Sequence, residues 1–346
     1  MRETSADLER MQAVLDASRP VRHGVTDVED RVRGLAADVV GCAPDRIIGV
    51  HRFATGERHH VFRVSPHDGD DLVVRVSLGS DDEERAAAER EARVLEVVHG
   101  GAAPRLLDFR LKSRWFDVPT MCLELVPGEH RELAKVAAHD LERLGAVVGS
   151  VHALPVTDLA DWFPDAGPAS AYRRGRVEML TGYRPWVRDP LPASMQRRLA
   201  DAWRAIEMRP EVDGDEPLVL LHGDIAGGNV LWAPSPVLID WEYARPGDAA
   251  DEIAYLFSQS GLMPEQRDAF WRGYSSTTDA RDVMPRVEWW EPLTLLGSAL
   301  WWIERWTRRA DADAAGRIDL AAPREPAHYL EQAMRRLEPL ERLLDG

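Results

Sequence analysis

Lysine, asparagine and cysteine are nearly missing from this 346-residue chain. Of 43 basic residues only Lys112 and Lys135 are not arginine, and Asn229 is the sole asparagine. The two cysteines, Cys42 and Cys122, are too few and too far apart for a disulfide framework or a zinc site. They read as small buried hydrophobes in a reducing compartment. No apolar run approaches the roughly 20 residues that a membrane span needs, and no secretory hydrophobic region follows the polar start Met1-Arg2-Glu3-Thr4-Ser5. These absences predict a cytoplasmic protein with no membrane partner. Positive charge is also short: the net charge is −16, which disfavours a nucleic-acid partner. A cationic small acceptor fits that sign, and plain solubility explains it equally well.

What remains is an ordinary globular composition, 45% hydrophobic and 29% charged, in a chain long enough for two lobes. Residues 6–17 and 28–40 carry apolar side chains at helical spacing and predict an N-terminal helical extension over residues 1–40. Strands are expected at 46–53, 61–64, 72–76, 105–109 and 120–125, with a charged amphipathic helix at 81–98. Residues 41–126 thus read as a compact α+β lobe on an antiparallel sheet. After Pro127-Gly128, residues 127–346 turn mainly helical, with helices at 139–154, 193–206, 251–257, 264–274, 292–309 and 326–338. Three of these begin on proline, which suits a first helical position, and Pro339 should end or kink the last. Residues 218–240 form the one strand-rich island in this half.

That island holds the chemistry. His222-Gly223-Asp224 is followed after four residues by Asn229, and Asp240 comes eleven residues later. Phosphoryl transfer requires a group to orient the attacking hydroxyl and oxygen ligands for Mg²⁺. The protein-kinase catalytic loop has the same His-x-Asp, four residues, Asn spacing. Asn and Lys both have AT-rich codons, so a GC-rich genome would suppress them, and an asparagine surviving here suggests a task no other side chain performs. If residues 233–236 turn a hairpin, Trp232 pairs with Val237 and Asn229 comes opposite Asp240, within reach of one metal cluster. In this reading Asp224 accepts or orients the hydroxyl proton, Asn229 and Asp240 bind Mg²⁺, and His222 is a structural hydrogen-bonder.

With these residues the chain resembles the aminoglycoside phosphotransferase and choline kinase superfamily, whose fold is that of protein kinases. Leu221 through Leu231 is similar to its His-Gly-Asp loop, Leu238 through Ala244 to its metal segment, and Gly247-Asp248 with Asp251-Glu252-Ile253-Ala254 to its Asp-Leu-Ala helix start. Val151-His152-Ala153-Leu154-Pro155 resembles its Leu-His-x-Leu-Pro helix end. The resemblance implies a bilobal fold, with a small sheet-plus-helix N-lobe and a larger helical C-lobe, and ATP or GTP bound between the lobes. It places Gly56 at the phosphates, Arg75 as the cation of the third strand, Glu91 as its helix partner, and Glu124 to Val126 as the hinge that meets the purine. Asp251 stands as a structural residue near the site. Two departures are evident. Arg75 replaces the usual lysine, and the loop Ala54 to His60 has one glycine, with His59 where the family often has asparagine.

The family implication for the acceptor falls on the last helices. Twelve tryptophans occur in the chain, and Trp302 and Trp306 lie one helical turn apart beside Glu304. Together with Glu242 they are candidates for an acceptor pocket, because aromatic faces and carboxylates bind amines; core packing is the competing reading. The expected activity is transfer of a γ-phosphoryl group to the hydroxyl of a small molecule, an aminoglycoside-like or other antibiotic. The alternatives are a choline- or thiamine-type metabolite kinase and a nucleotide-binding pseudokinase module.

Overall fold

The computed structural model describes residues 28–345 apart from 56–58, 99–100, 156–162, 164–167, 189–190, 210–215 and 315–325. Gly56 and the helix expected at 6–17 lie outside the described residues. The chain forms two compact units, residues 1–129 with 237–243 and residues 130–236 with 244–346.

The first unit is built on a five-stranded antiparallel sheet of order β1-β2-β3-β5-β4, from β1 (Ile47–Thr55), β2 (His59–Pro66), β3 (Leu72–Ser77), β4 (Leu106–Arg110) and β5 (Thr120–Glu124). Strand β3 is central, and its Leu72, Val74 and Val76 are fully buried. The helix α1 (Val28–Val40) is no appendage. Its Val28, Val32, Leu35 and Ala36 share one core with Ile47, Val50, Phe62 and Val64 of the sheet. Helix α2 (Asp82–Val97) starts on Asp81, whose carboxylate accepts the Glu84 N–H at 2.9 Å. Three acidic residues in its first turn complement the helix dipole. Its buried face comprises Ala88, Glu91, Ala92, Val94 and Leu95, which puts Glu91 inward while Glu84 and Glu89 stay outside that face.

The second unit is mainly helical, with α3 (Ala138–His152), α4 (Ala169–Gly182), α5 (Ala193–Glu207), α6 (Ala249–Ser260), α7 (Pro264–Tyr274), α8 (Met284–Ala314) and α9 (Pro326–Asp345). After the two-residue strand β6 (Glu129–His130), short strands β7 (Val219–Leu221) and β10 (Arg245–Gly247) pair antiparallel beneath α6. Helix α6 is fastened at its start by Asp248. That carboxylate caps Ala250 N–H and also accepts bonds from Arg286 and from Trp290 of α8. Burial would raise the Asp248 pKa, but these donors and the Arg286 charge hold it below the ordinary carboxylate value.

Three sequence expectations need correction. Pro292 does not start a helix: α8 begins at Met284 and runs through it. Likewise α9 continues past Pro339 to Asp345. A proline inside a helix costs about 3 kcal/mol. Around these two the apolar stripes continue, with Trp290, Leu293 and Leu296 buried in α8 and Leu337 and Leu340 in α9, so burial outweighs the lost hydrogen bond. Helix α4 escaped the reading because it buries only Ala169, Arg173 and Leu180 and carries Gly175 in its middle.

Helices α3 and α7 meet backbone to backbone. A Cβ on Gly273 would stand 1.7 Å from the Glu142 carbonyl oxygen, and one on Gly145 would stand 2.0 Å from that of Phe270. Neither obstacle is a movable side chain, so the helices would have to separate. We expect Gly273→Ala to destabilise the protein by about 3 kcal/mol, toward the upper end for overpacking. Gly175→Ala, in the exposed middle of α4 with nothing within 4 Å, should instead stabilise by up to about 1 kcal/mol. Urea unfolding of the two variants beside the wild type measures both.

Candidate active site

In the first unit, the functional side chains converge on Arg75. It occupies the middle of β3, opposite Val61 on β2 and Met121 on β5, and is 8% exposed. Its Nη1 donates to Glu91 Oε1 at 2.5 Å; its Nη2 lies 3.0 Å from both Asp240 Oδ1 and His59 Nδ1. Burial pulls the Arg75 pKa down, but the Glu91 and Asp240 charges outweigh it and leave the guanidinium more firmly protonated. Burial dominates at Glu91 and raises its pKa despite Arg75. A small recess adjoins the pair, lined in part by His59, Ala88, Thr120 and Met121.

Asp240 is the one non-glycine residue with positive φ among those described, at 67°. Such a backbone costs roughly 1–3 kcal/mol and persists only where surroundings enforce it. Enforcement comes from both sides. The Trp241 N–H donates to Glu91 Oε1 at 3.2 Å, and the fully buried Trp241 indole donates to Leu238 O at 2.9 Å. Glu242 comes within 3.9 Å of His59. Ligand atoms of His59, Asp240 and Glu242 lie within 4.8 Å of one another. Glu242, named among the acceptor candidates, is thus grouped with His59 and Asp240 and not with Trp302, Glu304 or Trp306.

The expected strands β8 (Val230–Trp232) and β9 (Pro236–Leu238) are neighbours in one sheet but shorter, and the hairpin register does not extend to Asn229 and Asp240. Asn229 ends a 3₁₀ turn, Gly227–Asn229, and Asp240 is left-handed, so neither is a strand residue and no cross-strand register applies to them.

At the expected hinge, the Glu124 carboxylate accepts the Arg105 N–H at 2.9 Å, and its own N–H donates to Arg105 O. Val126 follows in a half-buried, non-strand segment.

In the second unit the catalytic-loop residues are tightly held. The Asn229 amide donates from Nδ2 to Asp224 Oδ2 at 2.8 Å and to the Asp224 carbonyl at 2.9 Å. The Tyr255 hydroxyl donates to Asp224 Oδ1 at 2.6 Å. His222 is fully buried, and its Nδ1 accepts the Asp224 N–H at 3.3 Å, a structural place. Gly223 takes φ 89°, open to glycine at little cost.

The residue under this loop is Glu252, which the sequence reading passed over for Asp251. Glu252 accepts the Gly223 N–H at 2.6 Å and the His222 N–H at 3.2 Å, and lies 2.9 Å from His152 Nε2, whose Nδ1 is 2.9 Å from the Tyr274 hydroxyl. Asp251 faces the Tyr172 hydroxyl at 2.5 Å, with Arg176 and Arg245 beside it, and so fastens α4 to α6. Helical phase separates the two neighbours by about 100°. His152, at the end of a helix rich in apolar residues, was the available signal for a buried carboxylate partner.

Of the proposed acceptor residues, Trp306 is core and Glu304 pairs with Arg308 one turn away. Trp302 is half-buried and lies 5.5 Å from the Arg336 guanidinium carbon. The described side chains here do not form an aromatic box with free carboxylates.

The donors suit a hard cation. With Nδ2 of Asn229 engaged by Asp224, its amide oxygen is left to offer, and the Asp240 side chain is 42% exposed. Carboxylate and amide oxygens are what Mg²⁺ selects.

With this geometry established, known proteins were compared. The profile of the phosphotransferase enzyme family matches residues 49–290, about 70% of the chain. A thiamine kinase of Salmonella heidelberg is 31% identical over 96 residues, 27% of this chain and 34% of that protein, so the match spans about a third of the relative's length. The solved structure of a Plasmodium vivax ethanolamine kinase superposes with a TM-score of 0.62 at 12% identity, covering 98% of this chain and 95% of that one. The GDP and kanamycin complex of APH(2")-IIia superposes at 0.60 and 16% identity, covering 89% and 98%.

Glu252 offers a direct measurement. Burial would raise its pKa, but the His152 hydrogen bond, the neighbouring histidine charges and the Gly223 N–H lower it below the ordinary 4.5. Its contribution is therefore complete above pH 4.5 and is lost as pH falls through the depressed folded value. Glu252→Gln should cost roughly 3 kcal/mol at neutral pH, and the gap to wild type should shrink below pH 4.5. Urea midpoints between pH 3 and pH 7 would show it; a gap that does not change with pH would contradict this role. The family profile, over about 70% of the chain, identifies it as a member of the phosphotransferase enzyme family, and the solved structures share its fold.

Proposed function

We propose that the protein transfers the γ-phosphoryl group of ATP or GTP to a hydroxyl of a small molecule, with Asp224 as the residue that accepts or orients the hydroxyl proton. The observation that carries this reading is the Asp224 carboxylate itself, half-exposed and held at both oxygens by Tyr255 and Asn229. A carboxylate so restrained keeps one orientation, which is what positioning an attacking hydroxyl requires. Asn229 and Asp240 would hold Mg²⁺. When bound, the ion supplies charge neutralisation to the phosphate oxygens.

Arg75 is assigned to the phosphates. Its guanidinium already spans Glu91 and Asp240, which anchors the cation for that purpose. A planar fork can hold two carboxylates and still present a free N–H, a geometry a lysine ammonium does not reproduce. The backbone from Glu124 to Val126 is assigned to the purine, Gly56 to the phosphates, and His222 with Glu252 to the support of the loop. Kanamycin-type antibiotics and thiamine-type metabolites are the reference acceptors, because similar proteins carry those names.

Replacing Asp224 with alanine should lower kcat by about 10²–10⁴-fold while leaving the fold and nucleotide affinity near wild type. Single-turnover transfer from labelled ATP and nucleotide titration measure the two quantities. Retained turnover would remove Asp224 from this role.

A further inference from the structure

Arginines of the second unit that are taken out of water meet carboxylates. Arg173 and Arg286 meet Asp248 and Glu216, Arg176 and Arg245 meet Asp251, and Arg267 meets Glu291. Arg209, which donates to the Glu288 carbonyl, and Arg336 on α9 are exceptions, and Arg336 is the more fully engaged of the two. The Arg336 Nε donates to Ser298 Oγ at 3.0 Å and Gln259 Oε1 at 3.2 Å, its Nη2 to Gln259 Oε1 at 2.9 Å, and its Nη1 to the carbonyl and the side-chain oxygen of Gln332 at 2.9 and 2.7 Å. All of these acceptors are neutral, and among the described residues no carboxylate pairs with it. Burial is the largest influence on it and pulls its pKa down, which is the signature of a cation short of countercharge.

Its position gives that deficit a meaning. Gln259 lies four residues after Tyr255 on α6, so the two share a helix face one turn apart. Tyr255 in turn donates to Asp224. By this chain of contacts, Arg336 and Asp224 are linked through one turn of α6. The side chains around this link are half-buried and mostly polar, with Tyr255, Ser258 and Gln259 from α6, Ser298 and Trp302 from α8, and Gln332 from α9. The neutral partners hold the guanidinium in place without quenching its charge, and Trp302 supplies an apolar wall beneath it.

We propose that Arg336 binds an anionic oxygen group, carboxylate or phosphate, of the hydroxyl-bearing acceptor whose hydroxyl meets Asp224. This rests on the kinase reading above but departs from its cationic reference acceptors. An aminated acceptor would bring a second cation toward an uncompensated one, whereas an anion supplies the missing charge and competes for N–H donors now held only by neutral oxygens. In a chain of net charge −16, a local cation of this kind is also what lets an anion approach at all.

The test uses the full chain with Mg-ATP and matched acceptor sets: polyhydroxylated acids such as gluconate, sugar phosphates such as glucose 1-phosphate, their neutral parent glucose, and the amine glucosamine. The acid and phosphate arms separate the two sources of anionic oxygen. We expect an anionic member to exceed its neutral parent at least tenfold in kcat/KM. Arg336→Gln should remove that advantage through KM, with the KM for ATP as internal reference, and Arg336→Lys should restore part of it. Direct titration of the same probes without nucleotide, followed by tryptophan emission, reads the site independently of turnover. Arg336-dependent binding of an anion without transfer to any acceptor would strike the kinase reading and spare this site. Preference for the amine, or an Arg336→Gln variant that loses thermal stability with its acceptor ranking unchanged, would overturn the proposal.

Discussion

A carboxylate taken out of water must find compensation within a few ångströms, and the positions of two such groups organise this molecule. Glu91 is 2% exposed and Glu252 is 3% exposed. Each sits on a helix and faces inward. Each is matched to a basic side chain, Arg75 for one and His152 for the other. Each also uses its remaining hydrogen-bonding capacity on backbone N–H groups, Trp241 for Glu91, and His222 with Gly223 for Glu252. Those N–H groups adjoin the two aspartates assigned to the chemistry. In both units, therefore, the strong electrostatic demand of a buried acid is met by the backbone that carries a functional residue. The demand that stabilises the fold also fixes where that residue stands.

The arginine bias of the chain acquires a structural sense at Arg75. One guanidinium reaches Glu91, Asp240 and His59 at once. An ammonium on the same strand would be a point charge with no plane to share among them. The substitution that looks like a loss in the family pattern is thus consistent with a tighter anchoring of Asp240. The same residue type, placed at Arg336 among neutral partners, leaves its charge unspent. Context and not residue type separates a structural cation from one that can meet a ligand.

Much of the fold was legible in the sequence, because strands and amphipathic helices announce themselves by period. The five strands of the sheet followed from spacing and turn residues, Glu91 from the family resemblance with its helical face in support, and the His-Gly-Asp loop from its offsets. What could not be read depended on events that leave no local mark. Asp251 and Glu252 are adjacent acids on one helix, and only the positions of Tyr172 and His152 decide which of them supports the loop. Tyr255 reads as an ordinary helix residue until Asp224 is placed against it. Pro292 and Pro339 look like terminators, yet tertiary burial overrides the local rule. The hairpin register stopped short for a related reason: strand pairing extends only as far as the backbone stays extended, and both Asn229 and Asp240 have left that conformation.

The left-handed backbone at Asp240 also limits how this lineage can change. Glycine adopts such a conformation freely, asparagine and aspartate tolerate it, and branched or bulky side chains do not. Most single-step replacements of Asp240 therefore meet a backbone obstacle before any question of metal binding arises. Drift at this position is channelled toward asparagine or glycine. Those two residues would spare the backbone while removing the carboxylate, so the conformation biases which losses the fold tolerates without rearranging.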